Sequence, residues 1–400
     1  MFLLRTPEHP YTDPWLQPLD ERLRMLAAGQ RRVAYYYESA NNSTFRYRAY
    51  NMAQVLNARL PGHGGNETSA GYFFRNDLHC VDDIAALADV LVICRSGYEH
   101  HVAQLIARFR ALGKKVLFDI DDFVFDTDYT HLIIDTLALD KNDPRVWDDW
   151  FGMIARMGQT LRRCDGAITT NAFLAQRIHD FAGVSVAVVP NFMNREQLSM
   201  SEAIFAEKQA GGFTRDGTLT LGYFSGSPSH RLDYAIVEPA LEGLLRDRPD
   251  VRVMTVGYIE PGPRLAPYAD RILRQPFHDY VNLQRLVGSV EINLMPLQSN
   301  VFTDCKSELK YFEAAASGTL SVASPSHNYA ACIQHGRNGF LAQAHAWRRQ
   351  LDEALALMDS YAPMATAARD DALARYGWQS QRPCILTALG WADPVAAAAA

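Results

Sequence analysis

The chain has 400 residues, 48% of them hydrophobic and 21% charged, with 39 basic side chains against 45 acidic ones and a formal net charge of −6. That length suits two domains of roughly 150–200 residues better than one core. The acidic balance speaks against a nucleic-acid binder, and no apolar run approaches the ~18 residues of a bilayer span. Six cysteines (Cys80, Cys94, Cys164, Cys305, Cys332 and Cys384) lie scattered without a CxxC pair, which fits reduced thiols in a cytoplasm. The opening MFLLRTPEHP is too short in apolar residues for a signal peptide, and the alanine run 396–400 is low complexity and carries no fold information.

In chain order, short β-rich runs alternate with helical patterns. RVAYYY (32–37) reads as a strand, 47–60 as a helix, and AGYFF (70–74) as a strand after the glycine-rich PGHGGNE loop. DVLVIC (89–94) is a strand. The following helix has apolar residues at Val102, Leu105, Ile106, Phe109 and Leu112, and Gly113 caps it before the strand KVLFDID (115–121). GAITT (166–170) and VSVAVVP (184–190) complete the first half. A join between about 192 and 217 leads to a second series: TLTLGYF (218–224), a helix near 234–246, VRVMTVG (251–257), a helix around 280–287, VEINLMP (290–296), a helix from Lys306 and TLSVAS (319–324). The last stretch, 344–378, reads as helical. The alternation predicts an α/β protein with two doubly wound parallel sheets.

KSELKYFEAAASG (306–318) reads as a helix with Thr303 or Asp304 as N-cap and Gly318 as the left-handed C-terminal residue. On a 100° wheel Lys306, Lys310, Glu313 and Ser317 share a face within roughly 60°, opposite Leu309, Phe312, Ala315 and Ala316. Two cations where helix amides already point outward form an anion site, and a carboxylate one or two turns on can accept hydroxyl protons. A diphosphate joined to a ribose matches that order; a solvated face with a Lys–Glu pair is the alternative. GYFSGSPSHRLDY (222–234) leaves the first strand of the second series with Gly226 for a tight turn, donors at Ser225, Ser227, Ser229 and His230, and a fixed charge at Arg231. There is neither a GxGxxG after a strand nor a GxxxxGK[ST], so dehydrogenase and P-loop readings lose their marks.

These segments resemble the two-domain GT-B glycosyltransferases, family 4 among them, whose motif is E-x7-E succeeded by A-x-x-x-G-x-x-x-V-A-S. Glu313 matches the second glutamate, Ala314 to Gly318 and Val322 to Ser324 match the remainder of the motif, and HGRNGFL (335–341) and VVPNFMN (188–194) are similar to two further family segments. SGSPSHRLDY and KSELKYFEA are similar to a bacterial branch that works on surface polysaccharides. The first glutamate falls at Cys305, a departure that removes the usual contact near the donor sugar. The family's diphosphate-binding Arg and Lys align with Ser227 and with Arg231 or its neighbour.

The resemblance implies two Rossmann-like domains facing a cleft: an acceptor-side domain over 1–195, a linker over 196–217, a nucleotide-sugar domain over 218–365, and a C-terminal helix and tail over 366–400 that crosses back to the first domain. It assigns Arg231, Lys306 and Asp121 to the chemistry, and Gly226, Ser227, His230, Lys310 and Glu313 to the donor. Arg46 and Arg48 in NNSTFRYRAYN (41–51), with Asp119 and Asp122 in FDIDDFVFD (118–126), go to the acceptor side. An acceptor-site or domain-organising role for Asp121 and Asp122 is expected ahead of a metal at the Asp119–Asp121 D-x-D, because this fold uses cations and helix termini on the diphosphate. His100 and His101 read as a surface pair or cleft lining, and Trp147, Trp150 and Phe151 as core. The implied reaction moves a sugar from a nucleotide diphosphate to a hydroxyl of a glycan or lipid-linked saccharide, with retention and no cofactor. It implies a cytoplasmic place, with peripheral contact at the inner membrane face left open. A non-catalytic glycan-binding or scaffold relative, marked by Cys305, is the alternative; a sugar-nucleotide epimerase lacks a carboxylate pair.

Overall fold

A computed structural model describes residues 1–59, 66–137, 139–227 and 230–391. Most of the PGHGGNE loop (61–65), Ser229 and the alanine run lie outside these.

Strands β1 (Gly29–Tyr36), β2 (Asn66–Phe73), β3 (Val90–Cys94), β4 (Lys115–Ile120), β5 (Gly166–Thr169) and β6 (Val186–Val188) form one sheet in the order β2-β1-β3-β4-β5-β6. Strands β7 (Leu219–Ser225), β8 (Val251–Gly257), β9 (Ile272–Gln275), β10 (Ile292–Met295), β11 (Leu320–Ala323) and β12 (Phe340–Leu341) form the second, in the order β12-β11-β10-β7-β8-β9. Every pairing in both sheets is parallel. Central strands such as VLVIC are buried along their whole length, because helices cover both faces. Each sheet has one switch point, where consecutive connections leave in opposite directions: between β1 and β3, and between β7 and β10. Ligands of open parallel sheets bind beyond the strands' C-terminal ends at such points.

The segment 196–217, expected as a linker, is mostly a helix, Arg195–Ala210, begun by the Asn194 side chain accepting from the Gln197 amide. Its far end is fixed by buried Lys208, whose Nζ donates to Gly318 O at 2.9 Å. The first residues, expected with the first domain, lie against the second. Phe2 N donates to Ser289 O at 2.8 Å, the Phe2 ring packs on Phe213 and Tyr361, and the His9 amide donates to Asn282. At the other end, helix Tyr361–Tyr376 packs on helix Leu309–Ala316, and helix Arg382–Leu389 lies against β6 and helix Asn51–Leu56 of the first domain. One buried apolar cluster runs through both domains, from Val33 and Tyr35 to Leu221 and Phe312. No described helix is long and apolar enough to cross a membrane.

Candidate active site between the two sheets

Both switch points open onto one cavity of about 760 Å³. Its walls come from the segments after β1 (Asn41 to Tyr47), β3 (Arg95) and β4 (Asp121, Asp122) on one side, and from those after β7 (Gly226, Ser227, His230), β9 (Phe277 to Tyr280) and β10 (Phe302 to Glu313) on the other. Of the residues expected in the site, Arg46, Asp121, Asp122, Gly226, Ser227, His230, Lys306, Lys310 and Glu313 line it.

The second-domain wall is cationic, but its backbone differs from the expected helix. Neither Thr303 nor Asp304 is an N-cap: Asn300 caps a single helical turn, Val301–Asp304, its Oδ1 accepting from Thr303 N at 2.9 Å, and Glu308 holds the N-cap position of the helix that carries Lys310 and Glu313, without a side-chain capping bond. Residues 305–308 are not helical, and the next helix starts only at Leu309. Asn328 is the reason: its Nδ2 donates to Asp304 O at 3.0 Å and to Lys306 O at 2.7 Å, taking carbonyls that a helix would use. Lys306 therefore reaches the cavity from a loop and Lys310 from the helix's first turn. Neither forms an ion pair with a described carboxylate; Lys306 Nζ lies over the Phe302 ring and Lys310 Nζ over that of Tyr223, at 4.6 and 4.8 Å. Burial pushes Lys310 down to about 8, with Lys306 adding to the effect.

His230 stands beside them, Nδ1 3.2 Å from Asp233 Oδ2. Burial, then the neighbouring Lys310, holds it down at about 4, so it is neutral near pH 7. Gly226 does not need its glycine for the turn: its φ is not left-handed, and an added Cβ would meet no described atom within 4 Å. Arg231 is a correction. It is exposed and does not line the cavity. The helix Arg231–Asp247 buries Asp233 and Tyr234, and a residue two positions before Asp233 points some 200° away from it.

Glu313 is where the domains meet. Its Oε1 accepts from Gln197 Nε2 at 2.8 Å, from Arg46 Nη2 at 3.4 Å and from the Tyr47 hydroxyl. Arg46 also donates to Gln197 Oε1 at 3.1 Å and stacks on Tyr47 and Tyr280. Glu313 lines the cavity, and its Oε2 accepts no hydrogen bond from a described residue. Residues Arg46–Tyr50 form a π-helical turn, which buries all five side chains and serves both domains at once. Asn191 Nδ2 donates to Ser307 Oγ at 3.0 Å and Asn171 Nδ2 to Cys305 O at 2.9 Å, two further ties across the cleft. Cys305 is buried among first-domain apolar side chains and does not border the cavity.

Arg48 and Asp119 are also corrections. They form a bidentate pair, Nε–Oδ1 2.7 Å and Nη2–Oδ2 3.0 Å, with both side chains fully buried behind the wall. Arg48 Nη1 reaches Val189 O at 2.8 Å and Asn191 Oδ1 at 3.1 Å, so the pair braces the Asn191 loop and does not meet an acceptor. The D-x-D is thereby split, one carboxylate in the core and one in the cavity. Asp121 Oδ1 accepts from Arg95 Nη1 at 3.2 Å and its Oδ2 from Thr44 Oγ1 at 3.0 Å. Arg95 also faces Asp122 Oδ2 at 3.7 Å. It follows β3 with φ +36°, a costly conformation for a residue with a Cβ that appears where the surroundings hold it. Trp150 packs against the first-domain core and also lines the cavity; Trp147 is half-buried, its Nε1 donating to Lys141 O at 3.0 Å, and Phe151 is exposed, so these two do not belong to the core as expected. Among the described residues, the donor atoms of Glu38, Glu99 and His101 converge within 4.8 Å as those of a metal site do, but none lines the cavity and Arg75 already pairs with Glu99 at 3.6 Å.

Sequence reasoning missed Tyr47, Arg95, Gln197 and Asn191. Asn191 sits in the VVPNFMN segment and Tyr47 in NNSTFRYRAYN, which were usable signals; the other two carry none.

Residues 220–359 match the family model described as Glycosyl transferases group 1. No curated protein sequence matches the chain at a significant level. Among solved structures, HepE of Anabaena in complex with UDP and glucose is similar over 90% of this chain and 99% of its own, at 14% identity and a TM-score of 0.59. A glycosyltransferase from Rickettsia africae ESF-5 covers 90% and 97% at 14% identity and 0.58. Sucrose-phosphate synthase of Thermosynechococcus elongatus covers 89% and 96% at 12% identity and 0.54. The chain thus has the GT-B glycosyltransferase fold, and its second domain carries the sequence pattern of the group 1 glycosyl transferases.

Proposed function

We propose that this protein transfers a sugar from a nucleotide diphosphate to a hydroxyl of a saccharide or lipid-linked saccharide, with retention, in the synthesis of a bacterial surface polysaccharide. The observation that carries the reading is the juxtaposition of Lys306 and Lys310, two cations without a carboxylate partner among the described residues, with the open Oε2 of Glu313. A diphosphate against the lysines puts the adjoining ribose hydroxyls within the reach of Glu313. UDP or UDP-glucose in the Anabaena HepE crystals supports the donor class.

As the bond between the anomeric carbon and the diphosphate oxygen breaks, negative charge grows on the leaving phosphate, and preplaced cations in a water-poor site stabilise it. Lys306 and Lys310 supply those cations, so the reading needs no cofactor and no metal. The acceptor oxygen joins the same face of the sugar and its proton passes to the departing phosphate oxygen. The residue contribution on the acceptor side is orientation by the Asp121–Asp122–Arg95 group. Arg231, Arg48 and Asp119 drop out of this account. A cytoplasmic location, at the inner membrane face or away from it, belongs to the same proposal.

The buried Cys305 at the position of the family's first glutamate favours a second reading, a non-catalytic glycan-binding or scaffold relative in a polysaccharide assembly. Purified protein incubated with a panel of nucleotide sugars and saccharide acceptors separates the two. Product with nucleotide release supports transfer; binding without product or nucleotide release supports the second reading, and absence of nucleotide binding defeats transfer.

A further inference from the structure

The two walls of the cavity carry opposite charge. On the second-domain side stand Lys306 and Lys310, with Glu313 held by Arg46 and Gln197. On the first-domain side stand Asp121 and Asp122, with Arg95 as the one cation not taken up by the other domain. The arginines expected to receive an anionic acceptor are both committed: Arg46 to Glu313 and Gln197, Arg48 to Asp119. Arg95 itself is engaged by Asp121, Asp122 and Thr44.

The oxygens of the two aspartates differ. Both oxygens of Asp121 accept hydrogen bonds, from Arg95 and Thr44. Asp122 Oδ1 accepts from the Phe123 amide at 3.1 Å, while Oδ2 accepts no hydrogen bond from a described residue, its nearest cation being Arg95 at 3.7 Å. Across the same wall Trp150 presents a half-buried indole whose N–H carries no hydrogen bond to a described residue. Trp150 and Asp122 line the one cavity, and an aromatic face together with a carboxylate oxygen suits a sugar ring, with its C–H face on the indole and a hydroxyl on the carboxylate.

Resting on the transferase reading above, we infer that the acceptor group entering this cavity is an uncharged sugar, held by Asp122 and Trp150, and that acceptors bearing a carboxylate or phosphate on or next to that sugar are rejected. Like charges brought together in a recess of low dielectric repel far more than they do in water, and the first-domain wall has no uncommitted cation among its described residues to offset them. A lipid diphosphate is then admitted only when at least one further sugar separates it from the acceptor residue.

The test is binding, so that it does not depend on turnover. Saturation-transfer NMR on the full chain with saturating UDP compares methyl glycosides of neutral hexoses with the matching methyl hexuronides, which differ only in oxidation at the sixth carbon. Neutral glycosides are expected to bind at least ten-fold more tightly, and Asp122→Asn to narrow that gap by weakening the neutral ligand and admitting the uronide. Trp150→Ala is expected to weaken both alike. Uronides that bind as well as their neutral counterparts, a gap unchanged in Asp122→Asn, or no saturable binding of any neutral glycoside overturns the inference. UDP titrated into the same samples reports on the donor site separately: its failure to bind removes the transferase reading, whatever the glycosides do.

Discussion

Lys310 allows a pH test of the donor site. Burial lowers its ammonium to about 8, so its charge is fully present well below that value and is lost as pH rises through it. A bound diphosphate restores the charged form, which makes the protonated lysine the binding form. At pH 7 about one Lys310 in eleven is neutral and at pH 9 about ten in eleven, so affinity for UDP falls about ten-fold, or about 1.4 kcal/mol. Isothermal titration calorimetry at pH 7, 8 and 9 and constant ionic strength measures this directly. Lys310→Arg is the control, because a guanidinium keeps its charge throughout and leaves only the titration that belongs to the ligand. Parallel profiles for the two proteins refute the argument that Lys310 meets the diphosphate.

Other outcomes rest on the same geometry. Glu313→Ala is expected to weaken nucleotide binding by about ten-fold to a hundred-fold, the worth of a hydrogen bond to a charged group; unchanged affinity in calorimetry removes its ribose role. Lys306→Ala is expected to lower turnover about a hundred-fold or more, as loss of one charge-stabilising donor does elsewhere, and near-normal rates take it out of the leaving-group site. Arg231→Ala is expected to leave turnover and UDP affinity within about two-fold, since surface changes away from a site are near neutral; a large loss returns it to the site. Asp119→Ala, which strands Arg48 in the core, is expected to cost about 3–5 kcal/mol in denaturant unfolding. A variant as stable as the parent contradicts the bracing role.

The strands were legible where burial on both faces leaves an unbroken apolar run, as in VLVIC and VRVMTVG. β9 and β12 were not: ILRQ is half polar, and Phe340–Leu341 is two residues long. At the site, the charges of Lys306 and Lys310 could be read, but their backbone could not. The helical wheel continued smoothly through 306–308, and what breaks the helix is Asn328, 22 residues further on. Arg46 and Arg48 looked alike in sequence, two cations in one loop. Their partners lie 267 and 71 residues away, and those partners decide that one stands at the cavity and the other in the core. Arg95 drew no notice because a positive φ leaves no trace in composition.

The helix Arg195–Ala210 bears on any attempt to recombine this protein with its relatives. Gln197 and the Arg46–Tyr47 turn converge on Glu313, while Lys208 is bolted to the start of β11. A hybrid cut anywhere inside that helix inherits half of the junction from each parent. Exchange of the first domain would therefore have to transplant three distant segments together, and the two lobes are less modular than their separate sheets suggest.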